Sequence, residues 1–185
     1  IRAQRVVAPE EVTQRLGLRV VGALPAIPDQ SSRFWLGNGD LRKYMHAFFT
    51  ESVDSIRTML FRESRAGSLK VIMITSATGG EGKTTLSSHL ATSLARGGKR
   101  TLLIDGDMRR PTAHSLFDLP LDPGLSDLMR GQRNSAEVVR PANLKNLWII
   151  SGGNGDHRQA LEALARDDAE QIIKELVLAH ISSNE

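Results

Sequence analysis

The chain has 185 residues, 40% of them hydrophobic and 24% charged, which is enough apolar material for one domain with a real core. Its 24 Lys and Arg against 21 Asp and Glu leave a net charge of +3, excluding both a charge-driven disordered chain and a polyanion-coating protein. Without cysteine there is no disulfide framework and no thiolate metal site, a composition compatible with a reducing compartment, and no apolar run approaches the ~20 residues of a membrane span.

The opening residues Ile1 to Val7 carry Arg2 and Arg5 but no apolar signal-peptide core. Because residue 1 is isoleucine rather than methionine, an excerpt from a longer chain is expected. Pro9, Glu10 and Glu11 predict a helix start that ends near Gly17. Leu18 to Leu24 reads as a short strand ending at Pro25, and the Pro, Ser, Gly and Asn residues from Pro28 to Gly39 read as a linker.

From Asp40 the apolar residues Leu41, Tyr44, Met45, Phe48, Phe49, Val53, Ile56, Met59 and Leu60 recur at helical spacing, and the stripe reads as core or interface. Lys70 to Ser76 is a β-branched, apolar run of strand length. Gly82 to Arg96 follows as a helix that stops at Gly97-Gly98, and Thr101 to Asp105 reads as a second buried strand. Leu125 to Met129 suggests a short helix, Leu147 to Ser151 a third strand, and Ala160 to Ala179 one or two helices, with Asp167 and Glu170 placed as a capping box. Strands apolar on both faces alternating with helices predict an α/β fold, a parallel sheet with helices on both faces.

Between the first core strand and its helix lies Ser76-Ala77-Thr78-Gly79-Gly80-Glu81-Gly82-Lys83-Thr84-Thr85. The spacing is that of the Walker A phosphate loop, with Ala77 in the first glycine position. Glycines let successive N–H groups converge on one phosphate, and the helix start adds partial positive charge. Gly79, Gly80, Glu81, Gly82, Lys83, Thr84 and Thr85 are therefore the candidate nucleotide-binding residues, Lys83 neutralising the β- and γ-phosphates of ATP and Thr84 offering its hydroxyl to Mg²⁺. A dinucleotide fingerprint fails, because Thr85 stands where its third glycine would be.

The next strand ends in Asp105-Gly106-Asp107-Met108-Arg109-Arg110-Pro111. Two carboxylates just past a parallel strand sit at the sheet edge where ligands bind, and they suit Mg²⁺ coordination and activation of an attacking hydroxyl. Lys83, Asp105 and Asp107 are the catalytic candidates; Thr84, Asp105 and Asp107 are the metal candidates. Which aspartate does which stays open.

A hydrophobic triplet followed by D-x-D-x-R, with Gly80-Glu81-Gly82-Lys83-Thr84 before it, resembles the Walker A′ and Walker A motifs of the bacterial tyrosine kinases, the capsular exopolysaccharide family. The resemblance runs from about Val20 to Gly153, and includes Leu16 to Pro25 and the helical Glu51 to Leu60. It implies a P-loop NTPase-like fold and an autokinase that uses ATP and Mg²⁺ on protein tyrosines in exopolysaccharide synthesis and export. It further implies a position on the cytoplasmic side of the inner membrane, beside a membrane anchor or activator segment or subunit. On this reading residues 1–39 are a juxtamembrane-like segment and linker, and residues 40–185 a P-loop kinase domain lacking its C-terminal part.

Three departures accompany the resemblance. The family's Walker B strand is not found before Glu185, and its tyrosine-rich tail is missing, Tyr44 being the single tyrosine. The family's assembly pattern of Glu, Arg and Arg reads Glu51, Asp54 and Arg57, within a helix over 40–62 that the resemblance implicates in homo-oligomers.

Two rivals share these residues. A ParA/MinD-like positioning ATPase has a similar loop, but its extra lysine would stand at Thr78. A non-catalytic, nucleotide-sensing regulator of polysaccharide polymerisation would need only the loop. His46, His89, His114, His157 and His180 form no zinc-like pair, and Asp156, His157 and Arg158 read as part of a solvated loop beginning at Gly152. The Arg96, Lys99 and Arg100 cluster reads as helix-end surface charge, and with few aromatics no nucleic-acid partner is expected.

Overall fold

The structure, a computed structural model, describes residues 9–25, 39–63, 69–154, 158, 162, 165 and 169–182. The chain divides into two units, Ile1–Met73 and Ile74–Glu185.

In the first unit, α1 (Pro9–Leu16) carries Glu10 and Glu11 in its first turn and Arg15 in its last, each sign where the helix dipole favours it. Gly17 ends it in the left-handed region at φ 63°, returning its N–H to the Thr13 carbonyl at 3.1 Å. Helix α2 (Gly39–Glu63) buries Phe49, Val53 and Ile56, spaced three and four apart. The aromatic stripe is only partly core: Tyr44 and Phe48 are 66% and 47% exposed, their rings nearly parallel with centroids 6.5 Å apart.

The strand expected at Leu18 to Leu24 is not formed, and the segment instead lays Gly22 on α2. A Cβ on Gly22 would fall 2.5 Å from Ile56 Cγ1, so backbone approach to the helix replaces sheet pairing there. The linker expected between Pro28 and Gly39 lies outside the described residues, apart from Gly39 itself.

Lys70 to Ser76 is likewise not a strand, and Val71, Ile72 and Met73 are exposed. Apolar pattern alone does not make a strand; a neighbour must take its backbone hydrogen bonds. Among the described residues none does.

The second unit contains α3 (Lys83–Arg96), β1 (Thr101–Ile104), α4 (Ala113–Leu116), α5 (Leu125–Met129), α6 (Ser135–Val138), β2 (Arg140–Pro141), β3 (Leu147–Ile150) and α7 (Ala169–Ser182). The sheet order is β1-β3-β2. Strands β1 and β3 run parallel, Thr101 opposite Leu147 and Ile104 opposite Ile150. Strand β2 is antiparallel, so the sheet is mixed rather than all-parallel. At two residues, one of them Pro141, β2 is an edge that proline tolerates and a sequence pattern cannot reveal.

Side chains alternate across this sheet as a period of two requires. Leu102, Ile104 and Ile150 meet Met129, Val138, Ala169 and Leu176 on one face; Leu103, Leu147 and Ile149 meet Ala91, Ala95 and Ala113 on the other. Helices thus cover both faces, as expected. Helix α6 is opened by a reciprocal box, Asn134 Oδ1 accepting the Glu137 N–H and Glu137 Oε2 accepting the Asn134 N–H. The box expected at Asp167 lies outside the described residues. Among the described residues no helix is long and apolar enough to cross a membrane.

Candidate nucleotide site

Residues 97–100 join the end of α3 to the start of β1, and α3 lays Ala91 and Ala95 on Leu103. A connection that short makes helix and strand antiparallel, so the start of α3 lies toward the carboxyl end of β1. The phosphate loop and the Asp105 loop therefore share one edge of the sheet, where α/β proteins bind ligands.

The loop adopts the conformation that its glycines permit. Gly80 and Gly82 sit at φ 80° and 88°, and a Cβ on Gly79, Gly80 or Gly82 would meet nothing within 4 Å, so the space beside these glycines is open. Gly82 caps α3 without any side-chain hydrogen bond, and Lys83 is the first helical residue. The first N–H groups of α3 are thus uncapped by side chains, the arrangement that receives phosphate.

Lys83 Nζ donates to Ser76 Oγ at 2.9 Å and to the Thr78 carbonyl at 3.4 Å. Ser76 Oγ donates in turn to that same carbonyl at 2.8 Å. Glu81 Oε2 accepts the Thr78 N–H at 3.2 Å, and this bond, with further donors from Thr78, Ser76 and Ala77, holds its carboxyl below the ordinary glutamate range.

Asp105 and Asp107 are placed very differently. Asp105 is buried; its Oδ1 accepts the Asp107 N–H at 3.1 Å, and its Oδ2 accepts those of Thr112 and Ala113 at 3.1 and 3.0 Å. Asp107 is exposed, with Oδ1 accepting the Arg110 N–H at 3.1 Å. One carboxylate closes a loop, and the other stands on it.

Sequence reasoning missed what lies beneath this loop. Gly152 and Gly153, expected to open a solvated loop, are buried together with Ser151. A Cβ on Gly152 would fall 2.5 Å from Pro111 Cβ and 3.6 Å from the Asp107 carbonyl oxygen, so this glycine lets β3 exit directly under the aspartate loop. Tandem glycines after an apolar strand were the available signal. Of the neighbouring candidates, Arg158 is exposed, while Asp156 and His157 lie outside the described residues.

The open glycine loop, uncapped helix start and Lys83 fit a nucleotide's phosphates. For Mg²⁺ the donors are hard oxygens, the Thr84 hydroxyl and the Asp107 carboxylate, with lone pairs left on Asp105. No group of three or more His, Asp or Glu side chains able to hold a metal gathers among the described residues.

Residues 72–185 match the model of the CobQ/CobB/MinD/ParA nucleotide binding domain. The chain belongs to that family. Its match begins at the exposed run before the phosphate loop and takes in the whole sheet.

Relatives named as tyrosine-protein kinases are among those this chain resembles. Over 104 residues, 56% of this chain, it is 38% identical to the tyrosine-protein kinase YwqD of Bacillus subtilis (strain 168), covering 44% of that protein. Over 124 residues, 67% of this chain, it is 32% identical to the tyrosine-protein kinase etk of Escherichia coli (strain K12), covering 17% of it. The chain thus spans under half the length of these curated relatives. Among solved structures, the BceF tyrosine kinase domain superposes with a TM-score of 0.74 at 27% identity, covering 94% of this chain and 73% of that one. The kinase domain of Escherichia coli tyrosine kinase ETK gives 0.73 at 26% identity, covering 91% and 68%.

Proposed function

We propose that the chain is the nucleotide-binding part of a bacterial protein-tyrosine kinase acting in exopolysaccharide or capsule synthesis and export. The observation that carries this reading is the pairing at one sheet edge of an open glycine loop ending in Lys83-Thr84 with the Asp105-Gly106-Asp107 turn. The likeness to two tyrosine kinase domains over more than nine-tenths of the chain supports it.

When bound, Mg-ATP supplies the γ-phosphoryl group and the cation that shields it. The N–H groups from Gly80 to Thr85 hold phosphate oxygens, Lys83 neutralises the β- and γ-charges, and Thr84 offers its hydroxyl to Mg²⁺. Asp107, exposed on its turn, contributes to the metal shell and takes the proton of the tyrosine hydroxyl; Asp105 holds that turn in place. The phosphoryl group passes to the phenolic oxygen and ADP leaves.

We further infer a partner that anchors or activates the chain at the cytoplasmic face of the membrane, and self-assembly through α2. On that helix Asp54 Oδ1 lies 3.5 Å from Arg57 Nη1, so the aspartate standing for the family's arginine neutralises its neighbour within one chain. The test is transfer of labelled phosphate from Mg-ATP to a Glu-Tyr copolymer by the full chain with its partner. Phosphotyrosine lost in Lys83→Met supports the reading, and none in the wild type overturns it.

The family model also covers positioning ATPases. Hydrolysis stimulated by DNA or lipid, without phosphotyrosine, is the outcome that favours that second reading.

A further inference from the structure

The phosphate loop carries a carboxylate of its own. Glu81 stands between the two left-handed glycines Gly80 and Gly82, and its side chain turns back to the beginning of the loop, where Oε2 accepts the Thr78 N–H at 3.2 Å. Residue Thr78 is held from both sides. The carboxylate of Glu81 takes its N–H, and the ammonium of Lys83 reaches its carbonyl at 3.4 Å while donating to Ser76 Oγ at 2.9 Å.

This arrangement engages one group that a nucleotide needs, the Lys83 ammonium. Lys83 gives two of its donors to the loop's own oxygens, and a negative charge sits two residues before the helix start that would receive phosphate. A carboxylate accepting a loop N–H imitates a phosphate oxygen in charge and in hydrogen bonding. It also repels a real one, because two like charges within several ångströms at a solvated loop disfavour each other measurably. The open space around Gly79, Gly80 and Gly82 leaves Glu81 room to swing aside.

We propose that Glu81 is an internal competitor of the nucleotide: its carboxylate binds back to Thr78 in the empty loop, lowers the affinity for phosphates, and must leave Thr78 as phosphate binds. The inference rests on the nucleotide-binding reading of the loop and is independent of which acceptor is phosphorylated. The backbone N–H of Glu81 remains a phosphate donor; only its side chain opposes binding.

Calorimetric titration of the full chain with Mg-ADP, for the wild type, Glu81→Gln, Glu81→Ala and Lys83→Met, tests it, together with the amide exchange rate of Thr78 in the nucleotide-free protein. Glu81→Gln is expected to tighten Mg-ADP by about 3- to 10-fold, with the gain shrinking at high salt. Glu81→Ala is expected to speed exchange at Thr78, while Lys83→Met abolishes binding. Binding gained by Glu81→Gln where the wild type shows none supports the proposal equally. Wild-type binding that both Glu81 variants leave unchanged or weaken overturns the competition and leaves the nucleotide site standing. Absence of binding in the wild type and both Glu81 variants overturns the nucleotide reading and the competition with it, whatever Thr78 does.

Discussion

The buried carboxylate of Asp105 lies 3.0 Å from the backbone N–H of Ala113, eight residues further on. With Thr112 and Asp107 also donating to it, Asp105 gathers three N–H groups that would otherwise be unmet in a half-buried loop. Asp105→Asn replaces one accepting oxygen with an amide that cannot accept. It is expected to cost about 1–3 kcal/mol in denaturant unfolding, whereas Asp107→Asn at the exposed position stays within about 0.5 kcal/mol. Equal stability losses in the two variants would refute this division of roles.

Phosphoryl transfer separates the same pair in another way. Asp107→Asn is expected to lower turnover on a tyrosine copolymer by about 100-fold or more with the fold intact, since a general base contributes about 10²–10⁴-fold. Retained turnover would remove Asp107 from the chemistry.

Gly153 occupies φ 84°, and a Cβ there would collide with the Ser126 hydroxyl, while one on Gly124 would collide with the Gly153 backbone. Gly153→Ala and Gly124→Ala are each expected to destabilise by about 2 kcal/mol or more, read as a lowered unfolding midpoint. Gly79→Ala, with open space around it, changes the midpoint little.

Tyr44 is the one tyrosine of the sequence and is 66% exposed on α2. Within residues 1–185 a phosphotyrosine can therefore only be Tyr44. Tyr44→Phe is expected to abolish phosphotyrosine on peptides from residues 1–185 and to leave copolymer phosphorylation unchanged; residual anti-phosphotyrosine signal on those peptides contradicts the assignment of the modified residue type.

The hydrogen bond from Thr78 also has a pH signature. Because the Glu81 carboxyl is held below its ordinary range, the contact is fully present above the ordinary glutamate pKa and is lost as pH falls through the lowered value. The Thr78 amide shift, followed by NMR in the nucleotide-free protein, should titrate with a midpoint below that of an unperturbed glutamate. A midpoint at or above it disagrees with the contact.

The elements that could be read from the residues are those whose pattern is satisfied within the described fold. Helix α3 and strands β1 and β3 follow from apolar spacing, because Ala91, Leu103 and Ile149 do pack together. Val71, Ile72 and Met73 carry an equally good strand pattern and pair with nothing described, since pairing depends on a neighbour that local sequence does not specify. Helix α6 was overlooked although Asn134 and Glu137 spell its cap, because four residues offer no periodicity. The candidate site residues can be named from types and spacings alone. The unequal placement of Asp105 and Asp107 cannot, because it arises from amides at Thr112 and Ala113 that come together only in three dimensions.

The carboxylate that clasps Thr112 and Ala113 turns the stretch from Asp105 to Ala113 into a closed ring. Met108 is the buried stud that fixes the ring to the core, and Arg109 and Arg110 ride on its outer rim. Such a ring separates what must be kept from what can drift. Because its fastenings lie at Asp105 and Met108, the exposed side chains of Arg109 and Arg110 can change while the shape that carries Asp107 survives.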